Sequence, residues 1–146
     1  MSANTATQVT IDRVITTMAA KGITLDDDPS GRAARCNLNG FNVLFVLLDS
    51  VLIIRADAET DTASDNPDAT LYLAANQINS TTLGARALVV NKTQNIIVRT
   101  EAELPVGAGM TDAQLDASLS RAVDGLVRGQ DAMKALSEAI AQERRG

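Results

Sequence analysis

Asn76 and Asn79 stand three residues apart in the stretch "LAANQINSTTLG". On a helix that spacing puts both amides on one face. An amide offers donors and an acceptor together, so the pair suits contact with a polar ligand. The alternative is geometric: asparagines near a helix end can satisfy free backbone groups there and in the following loop. Four arginines, Arg35, Arg55, Arg86 and Arg99, fall in four different predicted strands. Projecting from one sheet face, they would form a row able to grip a partner's carboxylates. Pairing with Asp57, Glu101 and similar neighbours is the simpler arrangement.

Other chemistry is narrow. The chain contains no histidine, which removes histidine-based triads and histidine metal sites. Cys36, the single cysteine, lies mid-strand beside a tight turn without a base and reads as a small core residue. Asp26, Asp28, Ser30 and Gly31 imitate the opening of a calcium loop, D-x-D-x-S-G. Asn37 stands where a bidentate glutamate is needed, and a strand follows where a helix should, so a solvated turn around Pro29 is expected. Gly107 and Gly109 precede a helix start, but G-x-G without a lysine or a further glycine is only a flexible entry. Asp57, Glu59, Asp61, Asp65 and Asp68 accompany Pro67 and small residues, which predicts an exposed acidic loop rather than an acid–base pair. No catalytic residue, metal or cofactor is expected.

These residues need a frame. A chain of 146 residues fits one domain with a real core and no staple. Its apolar share of 45% and charged share of 21% are those of a globular protein. A net charge of -5 and a pI near 4.6 argue against duplex nucleic acid or an anionic membrane as partner. The run "FNVLFVLLDSVLII" is broken by Asp49 and Ser50, and neither half reaches the ~20 residues of a spanning helix. "MSANTATQVT" shows neither a basic nor an apolar leader region, and the lone cysteine fits a reducing compartment. A cytoplasmic protein is therefore expected.

Periodicity supplies the elements. Val9, Ile11, Val14, Ile15 and Met18 predict a first helix over about 10–21, capped by Thr10 and closed at Gly22. "TLDDDPSGR" reads as a turn cluster. "AARCNLNGFNVLFVLLD" is two strands joined by Asn39–Gly40, a strong hairpin signal, and "VLIIRADAE" is a third. "ATLYLAANQINST" forms the second helix, with Leu71, Ala74, Ala75 and Ile78 as its stripe. "ARALVVNK" and "NIIVRTEAEL" are the fourth and fifth strands. Thr111 and Gln114 form a capping box for a last helix whose apolar stripe runs from Leu115 to Ile140. Over residues 112–142 that helix would be roughly 45 Å long at ~1.5 Å per residue. It must kink near Gly125 and Gly129 or overhang a domain of this size. The order α-β-β-β-α-β-β-α predicts an α+β fold, a mainly antiparallel five-stranded sheet with helices packed on it. Expected bounds are a disordered segment at residues 1–8, one domain at 9–142 and a tail at 143–146.

One strand carries a further signal. Phe41, Val43, Phe45 and Leu47 point one way, while Leu44, Val46 and Leu48 point the other. A strand with one wet face alternates apolar and polar residues; this one wants cover on both sides. The second cover is expected to be another layer or another subunit.

The segments "TIDRVITTMAAKGI", "GFNVLFVLLDSVLIIRADAE", "NQINSTTLGARALVV" and "LPVGAGMTDAQLDASLSRAVDG", in this order, resemble the YbjN family of bacterial sensory transduction regulators. The Asn-x-x-Asn before a short loop and strand, and the G-x-T-x-x-Q/L start of the last helix, carry most of the likeness. The resemblance implies a fold like that of type III secretion chaperones, which are small, acidic, dimeric and non-enzymatic. It offers no catalytic residues. The expected function is a non-enzymatic, cytoplasmic, protein-binding regulator or chaperone-like adaptor in bacterial signalling. A homodimer and a protein partner are expected, with no nucleic acid and no membrane. The alternative is a sensor of a small polar ligand in a pocket near the Asn76/Asn79 helix.

Overall fold

The computed structural model describes residues 5–82 and 84–145. Residues 1–4 of the segment expected to be disordered, and Gly146 of the expected tail, lie outside the described residues.

The first helix, α1 (Ile11–Ala20), is set by the signals its sequence carries. The Thr10 hydroxyl accepts the Arg13 N–H at 3.2 Å, and Gly22 turns away at φ +83°. Ile11, Val14 and Met18 make its buried stripe. Strands β2 (Ala33–Leu38) and β3 (Phe41–Leu48) are joined at Asn39 and Gly40, whose φ angles of 54° and 86° are those of a type I′ turn.

Ahead of them lies β1 (Asp26–Asp27), which pairs Asp26 with Arg35 and Asp27 with Ala34. The sheet therefore has six strands, not the expected five. A two-residue strand is shorter than any periodicity, so the sequence shows only the turn that makes it. That turn is held by Asp28, whose side chain accepts the Ser30 N–H at 3.0 Å and pairs with Arg35 at 2.9 Å. These bonds occupy the carboxylate of the calcium-loop look-alike.

Strand β4 (Val51–Ala63) contains the expected third strand, 51–59, and runs on into the expected acidic loop. Asp57, Glu59 and Asp61 are strand residues, not loop. Up to the irregular stretch after Glu59, a period of two puts Asp57 and Glu59 on one face. β6 (Asn95–Pro105) supplies the backbone partner, with Asp57 opposite Arg99 and Glu59 opposite Ile97 and a register shift before Ala63. Of the five acidic residues, Asp65 and Asp68 remain in the connection to α2 (Thr70–Thr81). β5 (Arg86–Val90) completes an all-antiparallel sheet in the order β1-β2-β3-β4-β6-β5.

Helix α3 (Asp112–Arg145) runs 34 residues without interruption, about 50 Å at ~1.5 Å per residue. Its capping box forms as expected, Thr111 N–H to Gln114 Oε1 at 2.9 Å and Gln114 N–H to Thr111 Oγ1 at 3.0 Å. The extra length is received by another helix. Leu115, Leu119, Val123 and Leu126 pack on α1 and the sheet, whereas Met133, Leu136 and Ile140 pack with Leu71, Ala74 and Ile78 of α2. Residues 143–145 of the expected tail belong to α3. Arg144 reaches Asp68 at the start of α2 at 3.1 Å.

All three helices cover the same side of the sheet. The row Ala34, Phe45, Ile54 and Ala102 runs across four strands and is buried beneath them. Two buried polar side chains bind sheet to helix. Thr100 Oγ1 donates to the Leu126 carbonyl at 3.0 Å, and Gln130 Nε2 donates to the carbonyls of Ala56 at 2.8 Å and Val98 at 2.9 Å.

Candidate functional site

The side of the sheet away from the helices is where the four arginines stand. Strand register aligns Asp26, Arg35, Leu44, Arg55, Glu101 and Arg86 in one row across all six strands. Arg99 falls in the adjacent row of the same face, opposite Asp57 and Leu88. The expected shared face therefore exists, and so does the expected pairing. Arg55 meets Glu101 at 3.1 Å, and Arg86 meets the other oxygen of the same carboxylate at 3.4 Å. Arg99 grips Asp57 with two nitrogens, at 2.8 and 2.9 Å, and hydrogen bonding to Asp57 pushes its guanidinium pKa up. Arg35 is held by Asp28. Glu101, on the outer face, is still only 8% exposed because two arginines close over it. The row is a nearly neutral ladder of cations and carboxylates.

Beside the ladder the same face turns apolar. Val46 lies opposite Ile53, and Leu48 lies opposite Val51. None of these four belongs to, or packs against, either buried cluster, and Leu48 is 47% exposed. β3 announced this surface through its apolar residues at alternate positions. Val51 and Ile53 were hidden in the continuous run "VLII", where only strand register tells which residues face out.

The two asparagines have separate fates. Asn79 Nδ2 donates to the Ala87 carbonyl and its Oδ1 accepts the Ala87 N–H, both at 2.8 Å. Its amide thus pairs with edge strand β5 as a neighbouring strand would. No side-chain hydrogen bond holds exposed Asn76 among the described residues. A cleft beside the end of α2 is lined by Ile78 and Thr82, but by neither asparagine. Cys36 is partly buried, and desolvation, followed by the nearby charge of Asp26, pushes its thiol pKa up. That opposes the thiolate a nucleophile needs.

A sequence profile described as "Putative bacterial sensory transduction regulator", the YbjN family, matches residues 10–135. The chain belongs to the YbjN family. The crystal structure of YbjN from E. coli is similar to it at a TM-score of 0.64 and 20% identity, over 95% of this chain and 97% of that one. The YbjN-like fold also aligns with a chain of the HopA1–SchA chaperone–effector complex at a TM-score of 0.55 and 14% identity, covering 89% of this chain and 98% of that one. A chain of the heterodimeric ExoU–SpcU complex from the type III secretion system of Pseudomonas aeruginosa gives 0.54 and 17%, covering 84% and 96%. At these identities the structures share an α+β fold, with helices on an antiparallel sheet. Comparison with curated protein sequences finds no match. Among the described residues, no helix is long and apolar enough to cross a membrane.

Proposed function

We propose that this YbjN-family chain is a non-enzymatic, cytoplasmic regulator or chaperone-like adaptor in bacterial signalling, and that it binds protein on the open face of its sheet. One observation carries the reading. Val46, Leu48, Val51 and Ile53 form an aliphatic patch outside both cores, beside a ladder of paired charges. An apolar centre with a polar border is the usual make-up of a protein-binding patch. Arg35, Arg55, Arg86 and Arg99 would give that border its orientation, exchanging carboxylates with the partner. Net charge of -5 disfavours nucleic acid and anionic lipid as occupants. The presence of this fold in a chaperone–effector complex and in the ExoU–SpcU heterodimer supports a protein partner.

A second copy of the chain is the first partner to test, because a self-complementary patch closes a two-fold dimer. Light scattering coupled to gel filtration is expected to find a dimer at high micromolar concentration. Val46→Glu with Ile53→Glu is expected to give a folded monomer, since neither side chain is part of a core. In a pull-down from the native host, the same pair of changes should remove the proteins that wild type retains. A wild-type monomer whose captured partners are unchanged by the two glutamates would overturn the proposal.

A further inference from the structure

On the helical side, a cleft of about 470 Å³ opens between the end of α2, strands β5 and β6, and the middle of α3. That volume lies within the ~300–1,000 Å³ range of small-molecule sites. Two glycines of α3 border it. Among the described residues, a Cβ on Gly125 would meet nothing within 4 Å, whereas one on Gly129 would lie 2.9 Å from Thr100 Cγ2. Gly129 is thus a packing contact, and Gly125 is a gap facing open space. The floor is aliphatic, from Ile78, Ala87, Ala102 and Leu104.

The rim is cationic in an acidic protein. Arg121 and Arg128 of α3 line the cleft, and Arg86 and Glu103 border it from strand positions whose register belongs to the outer face, beside Arg55 and Ile53. Arg86 is shared with Glu101. Arg121 and Arg128 form no ion pair or side-chain hydrogen bond among the described residues, although Asp124 stands between them on the helix. Seven residues apart, they flank Gly125 at a separation of about 10 Å along the helix axis. An extended peptide adding to the β5 edge would need the backbone of Ala87, which Asn79 already occupies. The shape and charge therefore suit a compact ligand, not a strand.

We infer that this cleft binds a small amphipathic anion, its carboxylate or phosphate head over Gly125 between Arg121 and Arg128 and its aliphatic body on the floor of Ile78, Ala87 and Ala102. The site lies on the opposite side of the sheet from the protein-binding face, so either can fail without the other.

Calorimetric titration of the full chain with decanoate and with decyl phosphate, both below their aggregation concentrations, tests this, with decanol as the uncharged control. At least one anion is expected to bind saturably at one site per chain, and decanol about tenfold more weakly or worse. Whichever anion binds tighter identifies the head group. Arg121→Gln with Arg128→Gln is expected to weaken binding about tenfold and flatten its salt dependence. Gly125→Leu should abolish binding while preserving the melting temperature, because its side chain enters open space. Should Gly125→Leu misfold by circular dichroism, the exposed arginine pair still decides. No saturable binding of either anion, or binding that survives the arginine changes, overturns the inference.

Discussion

At the scale of single residues, the most informative side chain is Asn79. Both of its hydrogen bonds go to one backbone unit of an edge strand. Such an edge otherwise presents unpaired N–H and C=O groups. Asn79→Ala is expected to cost about 1–2 kcal/mol in urea unfolding, because the Ala87 amide loses its partner. Asn76→Ala should stay within about 0.5 kcal/mol of wild type. The pair looked equivalent in sequence; only the placement of β5 separates them. Gly125 and Gly129 differ in the same way. Gly125→Ala is expected to raise the melting temperature, since alanine is about 1 kcal/mol better in a helix and the space is open. Gly129→Ala should lower it, because its Cβ would press on the Thr100 methyl. Differential scanning of the two variants checks the sign.

At the scale of elements, α3 acts as the spine of the helical layer. Its Gln130 is 4% exposed and binds the carbonyls of Ala56 and Val98. Gln130→Leu is expected to cost about 1–3 kcal/mol, since leucine leaves both acceptors buried without that donor; equilibrium unfolding measures it. The start of α2 is held by Asp68, not by its N-cap Ala69, which makes no side-chain cap bond. Asp68 Oδ1 accepts from the Thr70 N–H at 3.0 Å and the Thr70 hydroxyl at 2.7 Å. Those bonds, then the charge of Arg144, hold its carboxyl below the usual range. A depressed carboxylate pKa contributes stability above the unfolded value of about 4 and loses it as pH falls through the folded value. Stability is therefore expected to fall on acidification below about pH 4. Asp68→Asn should flatten that part of the curve, as read from urea midpoints across pH. The first and last helices, the Asn39–Gly40 hairpin and the capping box were all legible, because each rests on neighbours within a few positions. The end of β4 was not: the strand was legible to Glu59, and the acidic, small residues after it suggest a loop where pairing with β6 carries the strand on to Ala63.

At the scale of the whole molecule, the asymmetry of the sheet dominates. Among the described residues, three helices cover one side and none covers the other, where the aliphatic patch lies. If a second copy does so, stability becomes linked to protein concentration. The melting temperature of wild type is expected to rise with concentration, while that of the Val46→Glu, Ile53→Glu variant stays constant. Parallel scans over a wide concentration range compare the two, and a wild-type temperature that does not move would count against self-association.

The α+β class, the order of the principal elements, the family and the demand of β3 for cover on both faces were legible in the chain. Those features follow from local periodicity, capping and turn chemistry, which act between neighbours in the chain. Contacts between distant segments settled the two-residue β1, the extension of β4 from Glu59 to Ala63, the gathering of four arginines into a paired ladder and the cleft at Gly125. Each depends on register between segments distant in sequence, where a carboxylate meets its arginine or a glycine meets a methyl group only once the sheet has formed.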